Sequence, residues 1–123
     1  MDSVKSFIIP LAQAAATDEK IIGGTAAILA KLTQAGFRTP AGFCITIFAY
    51  QQFIRANRLD EKIAFELGRK SLESMRWEEI WDAALRIRSA FQLAEIPIDI
   101  NAQILQALEK LGPRKTLVVR SSA

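Results

Sequence analysis

The chain has 123 residues, half of them hydrophobic and about a quarter charged, with a formal net charge of +3. This is the composition of a soluble globular protein, one domain at most, with a modest core. A single cysteine, Cys44, excludes an internal disulfide or a multi-cysteine zinc site, and the lack of histidine excludes a histidine base, metal ligand or phosphohistidine within these residues.

The basic residues Lys62, Arg69, Lys70, Arg76, Arg86 and Arg88 alternate with Glu61, Glu66, Glu73, Glu78 and Glu79. Such interleaving marks solvated helix faces, so no nucleic-acid partner is expected. No run approaches the ~18 apolar residues of a membrane span, so no membrane partner is expected either, and we place the protein in the cytoplasm. Lys5 followed by the apolar stretch Phe7 to Leu11 and three alanines has some look of a secretory signal. Pro10 and Gln13 interrupt it, and a strand at residues 6–9 leading into a short helix is the better reading.

Gly23-Gly24 then introduces a helix from about 25 to 35, with Ile28, Leu29, Leu32 and Ala35 on one face. Gly36 stands where a left-handed C-terminal cap is wanted. Thr39-Pro40-Ala41-Gly42 reads as a turn into a short strand, Phe43 to Ile45, which buries Cys44 as a small hydrophobe. Thr46 can cap a helix over about 47–56 that carries Phe48, Phe53 and Ile54, and Asn57 closes it. A further helix over about 59–71 uses Leu59, Ile63 and Leu67, and the polar stretch 71–74 interrupts it.

From Trp77 to about Leu93 the spacing is strongly helical. Trp77, Trp81 and Leu85 form one ridge, and Ile80, Ala84, Ile87 and Phe91 another; both are expected in the core. Pro97 marks the next start. Asp99 is the expected N-cap of a helix through Leu111, with Ile104, Leu105 and Leu108 inward, and Gly112-Pro113 stops it. The last residues, Thr116 to Ala123, read as a short buried strand delivering an arginine and two hydroxyls. The class is α/β, mostly helical and α+β-like, with about five helices and two or three short strands.

Two segments carry chemistry. Paired glycines before a helix let a ligand approach the backbone, and the free N–H groups of the first turn favour an anion; this makes Gly23, Gly24 and Thr25 candidates. A plain turn is the competing reading, and the Walker spacing is absent. Arg120 offers a planar fork of donors suited to phosphate oxygens, with Ser121 and Ser122 adding short hydrogen bonds. An arginine pairing with a carboxylate at a sheet edge is the alternative. No catalytic residue and no metal ligand is identified.

Taken in order, the motifs resemble the N-terminal part of the phosphoenolpyruvate synthase and pyruvate phosphate dikinase family, in its ATP-grasp-type nucleotide-binding domain. A Gly-Gly-Lys-x-x-x-Leu-x-x-Leu helix start corresponds to Gly23 through Leu32. A Gly-Phe-x-x-Pro-Pro-Gly-Phe stretch corresponds to Gly36 through Phe43, with Ala41 replacing one proline. An Ala-Tyr-x-x-Phe helix matches Ala49, Tyr50 and Phe53, an Ile-Arg helix matches Ile87-Arg88, and a Val-Arg-Ser-Ser-Ala strand matches Val119 to Ala123. The resemblance covers nearly the whole chain.

It implies that residues 1–123 are the N-terminal subdomain of an ATP-binding domain, truncated at its C-terminus. It also implies a longer parent that transfers phosphoryl groups from ATP, through a phosphohistidine elsewhere, to pyruvate or another acceptor such as an antibiotic or a glucan. The family's arginine, which contacts ATP phosphates, matches Arg120. Its phosphate-binding lysine does not match: Thr25 stands there and supplies no charge. Lys31 lies about two helical turns away and points elsewhere. Magnesium ligands, the phosphohistidine and the acceptor site are expected beyond Ala123, and the isolated chain is expected to be inactive and to bind ATP weakly. Thr25 and Arg120 are expected at the rim of one cleft. A degenerate relative acting as a binding or regulatory module is the alternative, supported by Thr25.

Overall fold

A computed structural model describes residues 5–113 and 116–121. In chain order these form strand β1 (Ile8–Pro10), a 3-10 helix (Leu11–Ala16), helix α1 (Glu19–Ile22), α2 (Gly24–Gln34), β2 (Phe43–Ile45), α3 (Ile47–Ala56), α4 (Leu59–Gly68), a second 3-10 helix (Leu72–Ser74), α5 (Trp77–Leu93) and α6 (Ile98–Leu111). The class is α/β and mostly helical, as expected. The residues cluster into two compact units, one from the described parts of 1–51 and 98–123, the other from 52–97.

In the first unit β1 and β2 pair antiparallel, Ile8 opposite Ile45, Ile9 opposite Cys44 and Pro10 opposite Phe43. The pairing extends at one end, where the Thr46 amide donates to the Phe7 carbonyl at 2.9 Å and the Thr46 hydroxyl to the Ser6 carbonyl at 2.5 Å. Thr46 is buried, and its carbonyl accepts the first bond of α3 from Tyr50. Thr46 thus joins the strand pair to the helix start.

The core of this unit is built from Ala14, Ile22, Ala27, Ala30 and Cys44, with Ile9, Leu11, Ala15, Ile21 and Ala26 packed around it. The inward face of α2 is therefore alanine, and the expected face is corrected: Ile28 is 61% exposed and Leu32 also faces solvent, while Leu29 is half-buried. Small side chains let α2 lie close against the 3-10 helix, and the bulky residues are left outside. Close approach also explains Gly42. A Cβ there would meet Leu11 Cδ1 at 3.1 Å, while its carbonyl accepts from the Leu11 amide at 2.9 Å. Burial pushes the Cys44 thiol above its ordinary pKa, as expected of a small hydrophobe.

Gly36 adopts φ 92° after α2, its N–H bonding Thr33 and that of Phe37 reaching back to Leu32, so the expected left-handed cap is present. Gly112 ends α6 in the same way with φ 91°. Helix α6, which packs on β1, begins at Ile98 straight after Pro97. Asp99 therefore lies in its first turn and not at the N-cap; its Oδ1 accepts from the Ile100 amide at 3.0 Å. Ile100 is its buried anchor, Ile104 and Leu108 are half-buried, and Leu105 faces outward, contrary to expectation.

In the second unit α4 packs against α5. Asn57 follows α3 and acts as a two-sided clamp. Its Nδ2 donates to the carbonyls of Phe53 at 3.0 Å and Glu95 at 2.9 Å, and its Oδ1 accepts from the Glu95 amide at 3.1 Å. Phe53 and Phe91 meet with ring centroids 6.0 Å apart. The face of α5 turned to its neighbours carries Ala83, Ile87, Ala90 and Phe91.

The tryptophan ridge is a further correction. Trp77 is 64% and Trp81 60% exposed, their rings 5.5 Å apart and tilted against each other, with Leu85 and Ile80 exposed beside them. Helix α5 is apolar on two sides, and α4 can cover only one of them. Another correction concerns the C-terminal segment. Residues 116–121 form no strand and are exposed, Val119 to 94%. A strand exists only when its backbone groups are paired, and β1 and β2 pair with each other instead. Ser122 and Ala123 lie outside the described residues.

Candidate phosphate cradle

The Gly23-Gly24 pair is where two helices meet. Asp18 caps α1, its Oδ1 accepting from the Lys20 amide at 2.9 Å, and the short helix runs only to Ile22. Gly23 then closes α1 and opens α2 at once. Its N–H donates to the Glu19 carbonyl at 2.6 Å, and its own carbonyl accepts from the Ala27 amide at 3.1 Å. Serving both helices requires φ 85° and ψ 164°, a combination that essentially only glycine adopts.

The bond from Ala27 to Gly23 is the first of α2, so the amides of Gly24, Thr25 and Ala26 face out of its N-terminal end. Together with the helix dipole they form a donor set that suits a phosphate oxygen. Gly24 brings no side chain to this end of α2, and a Cβ there would stand 3.3 Å from Glu19 Oε1. The donor set and the missing Cβ fit an anion. The charges around them fit it less well, because Thr25 is neutral and the nearby acid is Glu19. Lys31 lies in the last turn of α2 and belongs to its other end.

Of the expected site residues, Gly23, Gly24 and Thr25 are half-buried and share the start of α2. Arg120 and Ser121 belong to the same unit but sit on the exposed irregular segment, where Arg120 makes no ion pair among the described residues. Sequence reasoning missed Glu19, whose only signal was its place five residues before Gly24. Among the described residues no group of three or more histidine, cysteine or acidic side chains could hold a metal ion.

A second charged arrangement lies in the other unit, and sequence reasoning had placed it in solvent. The Glu66 side chain is fully buried. Its Oε2 accepts from Arg86 Nε at 2.8 Å, Lys62 Nζ lies 3.2 Å from Oε1, and Arg69 Nε is 3.7 Å from Oε2. The hydrogen bond from Arg86, with help from Lys62 and Arg69, holds the carboxyl below the ordinary glutamate range against the opposing effect of burial. The neighbouring Glu79 pairs with Lys70 at 3.2 Å and Arg76 at 3.3 Å. Glu66, Arg69, Lys70, Glu79 and Arg86 line a groove of about 320 Å³, the bases of these pairs outnumber the acids, and the Glu66–Arg86 pair ties α4 to α5. The spacing of Lys62 and Arg69 from Glu66 was legible along α4; the arrival of Arg86 from α5 was not.

Residues 19–123 match the pyruvate phosphate dikinase AMP/ATP-binding domain family. The chain is 34% identical over 127 residues to a probable phosphoenolpyruvate synthase of Methanocaldococcus jannaschii, covering 99% of this chain and 10% of that protein. It is 32% identical over 119 residues to a rifampicin phosphotransferase of Streptomyces sviceus, covering 95% of this chain and 13% of the relative. A rifampicin phosphotransferase of Bacillus cereus is 27% identical over 121 residues, with 98% and 14% covered. The chain thus spans between a tenth and a seventh of the length of these relatives. With five motifs in register and the match running from Glu19 to the last residue, the chain belongs to the pyruvate phosphate dikinase AMP/ATP-binding domain family.

Proposed function

We propose that this chain is the N-terminal subdomain of an ATP-grasp-type nucleotide-binding domain, and that it contributes the amides at the start of α2 to a site for ATP phosphates. The observation that carries this reading is the helix start. Gly23 at φ 85° frees three outward amides beside a side-chain-free Gly24, within a segment that matches an AMP/ATP-binding family. In the parent protein Arg120 joins the cradle with Ser121 once residues 116–121 are paired into a sheet, which brings Arg120 and Thr25 to one cleft. Mg2+ accompanies the nucleotide, held by acids outside this chain.

The parent is a cytoplasmic phosphotransferase that resembles phosphoenolpyruvate synthase. It converts ATP, pyruvate and water to phosphoenolpyruvate, AMP and phosphate. ATP supplies the phosphoryl group, which passes through a histidine that this chain lacks. What these residues do is hold the phosphates by backbone donors and an arginine; the isolated chain is inactive.

Two alternatives have specific support. Relatives named rifampicin phosphotransferase match as well as the synthases do, so an antibiotic acceptor is the second reading within the enzyme class. A non-catalytic binding module is favoured by Thr25 in place of the family's lysine. The test is product analysis of the full-length protein with Mg-ATP and either pyruvate or rifampicin. AMP and phosphoenolpyruvate support the synthase, AMP and a phosphorylated antibiotic the second reading. Absence of AMP with both acceptors sinks these two readings and favours the module.

A further inference from the structure

We propose that the exposed face of α5 docks a second copy of this chain, the two α5 helices lying antiparallel across a two-fold axis. Trp77, Trp81, Leu85 and Arg88 follow one another at helical spacing on the side of α5 that α4 leaves uncovered, with Ile80 and Ala84 beside them. All six are exposed. A tryptophan offers up to about 250 Å², so these two, with Ile80 and Leu85, leave an apolar patch of roughly 450 Å². Patches of that size on soluble chains are commonly interaction sites.

The pattern of the helix itself selects a second copy. With the axis between Asp82 and Ala83, an antiparallel pair sets Trp81 against Ala84 of the second copy, Ile80 against its Leu85 and Trp77 against its Arg88, each contact occurring twice. Ala84 leaves room for the Trp81 ring, and the planar guanidinium of Arg88 can stack on the face of Trp77. The charges agree. Glu78 stands at the start of α5 and Arg88 near its end, both exposed, and neither is in an ion pair among the described residues. Glu79 and Arg86, by contrast, are held within the chain by Lys70, Arg76 and Glu66. Antiparallel packing brings Glu78 beside Arg88 of the second copy at both ends, whereas parallel packing sets like charges together.

The area sets the strength. Two such patches and their polar rims bury about 1,000–1,200 Å² in all, the small end of specific interfaces. Association is therefore weak and reversible: the chain is a monomer at about 1 μM and pairs as its concentration rises toward about 1 mM.

The test is analytical ultracentrifugation of the chain across that range, for the wild type, Trp81→Ala, Glu78→Arg and Arg88→Glu, with circular dichroism to show that each variant keeps its fold. The wild type is expected to pass from monomer to dimer, and each variant to associate about tenfold or more weakly. Mixed in equal amounts, Glu78→Arg and Arg88→Glu restore opposite charges across the axis, so they are expected to pair with each other more tightly than either pairs with itself. A wild-type chain that stays monomeric at about 1 mM refutes the second copy and leaves this face to residues of the longer parent. A dimer that survives Trp81→Ala uses another surface, and a mixture without that preference is not an antiparallel pair; either result overturns the proposal.

Discussion

Replacing Asn57 by alanine is the sharpest probe of how the second unit is held together. Three hydrogen bonds converge on this one side chain, two of them exchanged with the backbone of Glu95, 38 positions away. Truncation removes all three and leaves the Glu95 amide and carbonyl to find water. Each bond of this kind contributes a net 0.5–1.5 kcal/mol. The contacts lie near the surface, where water replaces lost partners, so the lower half of that range applies and the sum is about 2 kcal/mol. With a urea slope of about 2 kcal/mol per M, the midpoint falls by about 1 M. Asn57→Asp keeps the acceptor for the Glu95 amide but loses both donated bonds, and its midpoint is expected between those of wild type and Asn57→Ala. The assay is urea unfolding followed by circular dichroism, with hydrogen exchange at the Glu95 amide as the local readout. A midpoint for Asn57→Ala within about 0.2 M of wild type, with unchanged protection at Glu95, would refute the clamp.

Other expectations follow from the same geometry. Because Trp77 and Trp81 are exposed, Trp81→Ala is expected to cost under about 1 kcal/mol instead of the 3–5 kcal/mol of a buried aromatic, and the indole emission of the chain to be readily quenched by acrylamide; a blue-shifted, protected emission would contradict this. Glu66 has its pKa lowered by Arg86, Lys62 and Arg69, so its contribution to stability is present above the ordinary glutamate pKa of about 4.3 and is lost as pH falls through the lower folded value. Urea midpoints measured from neutral to acid pH are expected to fall less steeply in Glu66→Gln than in wild type, and parallel curves would show that the carboxylate carries no such linkage. Gly23→Ala places a side chain at φ 85° and is expected to destabilise the α1–α2 junction by about 1–3 kcal/mol, readable as lost amide protection at Ala27.

Much of the secondary structure was legible because its signals are local. Glycines after the last helical residue announced the ends of α2 and α6, and the observed φ values at Gly36 and Gly112 are those such caps require. The apolar spacing from Trp77 to Leu93 and the break at Asn57 located α5 and the end of α3 for the same reason. The start of α6 was misjudged by two residues, since both Pro97 and Asp99 are starting signals and the helix obeyed the proline. The glycine pair and Thr25 were likewise visible as a helix start able to meet an anion, but the carboxylate of Glu19 beside Gly24 was not.

The sequence by itself determined where helices begin and end, that Cys44 is a buried hydrophobe, and that the chain carries the motifs of its family, because each rests on residues close together in the chain. Only the tertiary structure decided which face of each helix is inside. Periodicity reports that a helix has an apolar side, but not whether a neighbour exists to cover it. Helix α2 turned its alanines inward because the 3-10 helix approaches too closely for leucine. Helix α5 left its tryptophans in water because α4 occupies only its other side, and Glu66 entered the interior because Arg86 came from another helix to meet its charge. The residues around Val119 stayed exposed for the same physical reason: a strand forms only when a second strand pairs with its backbone.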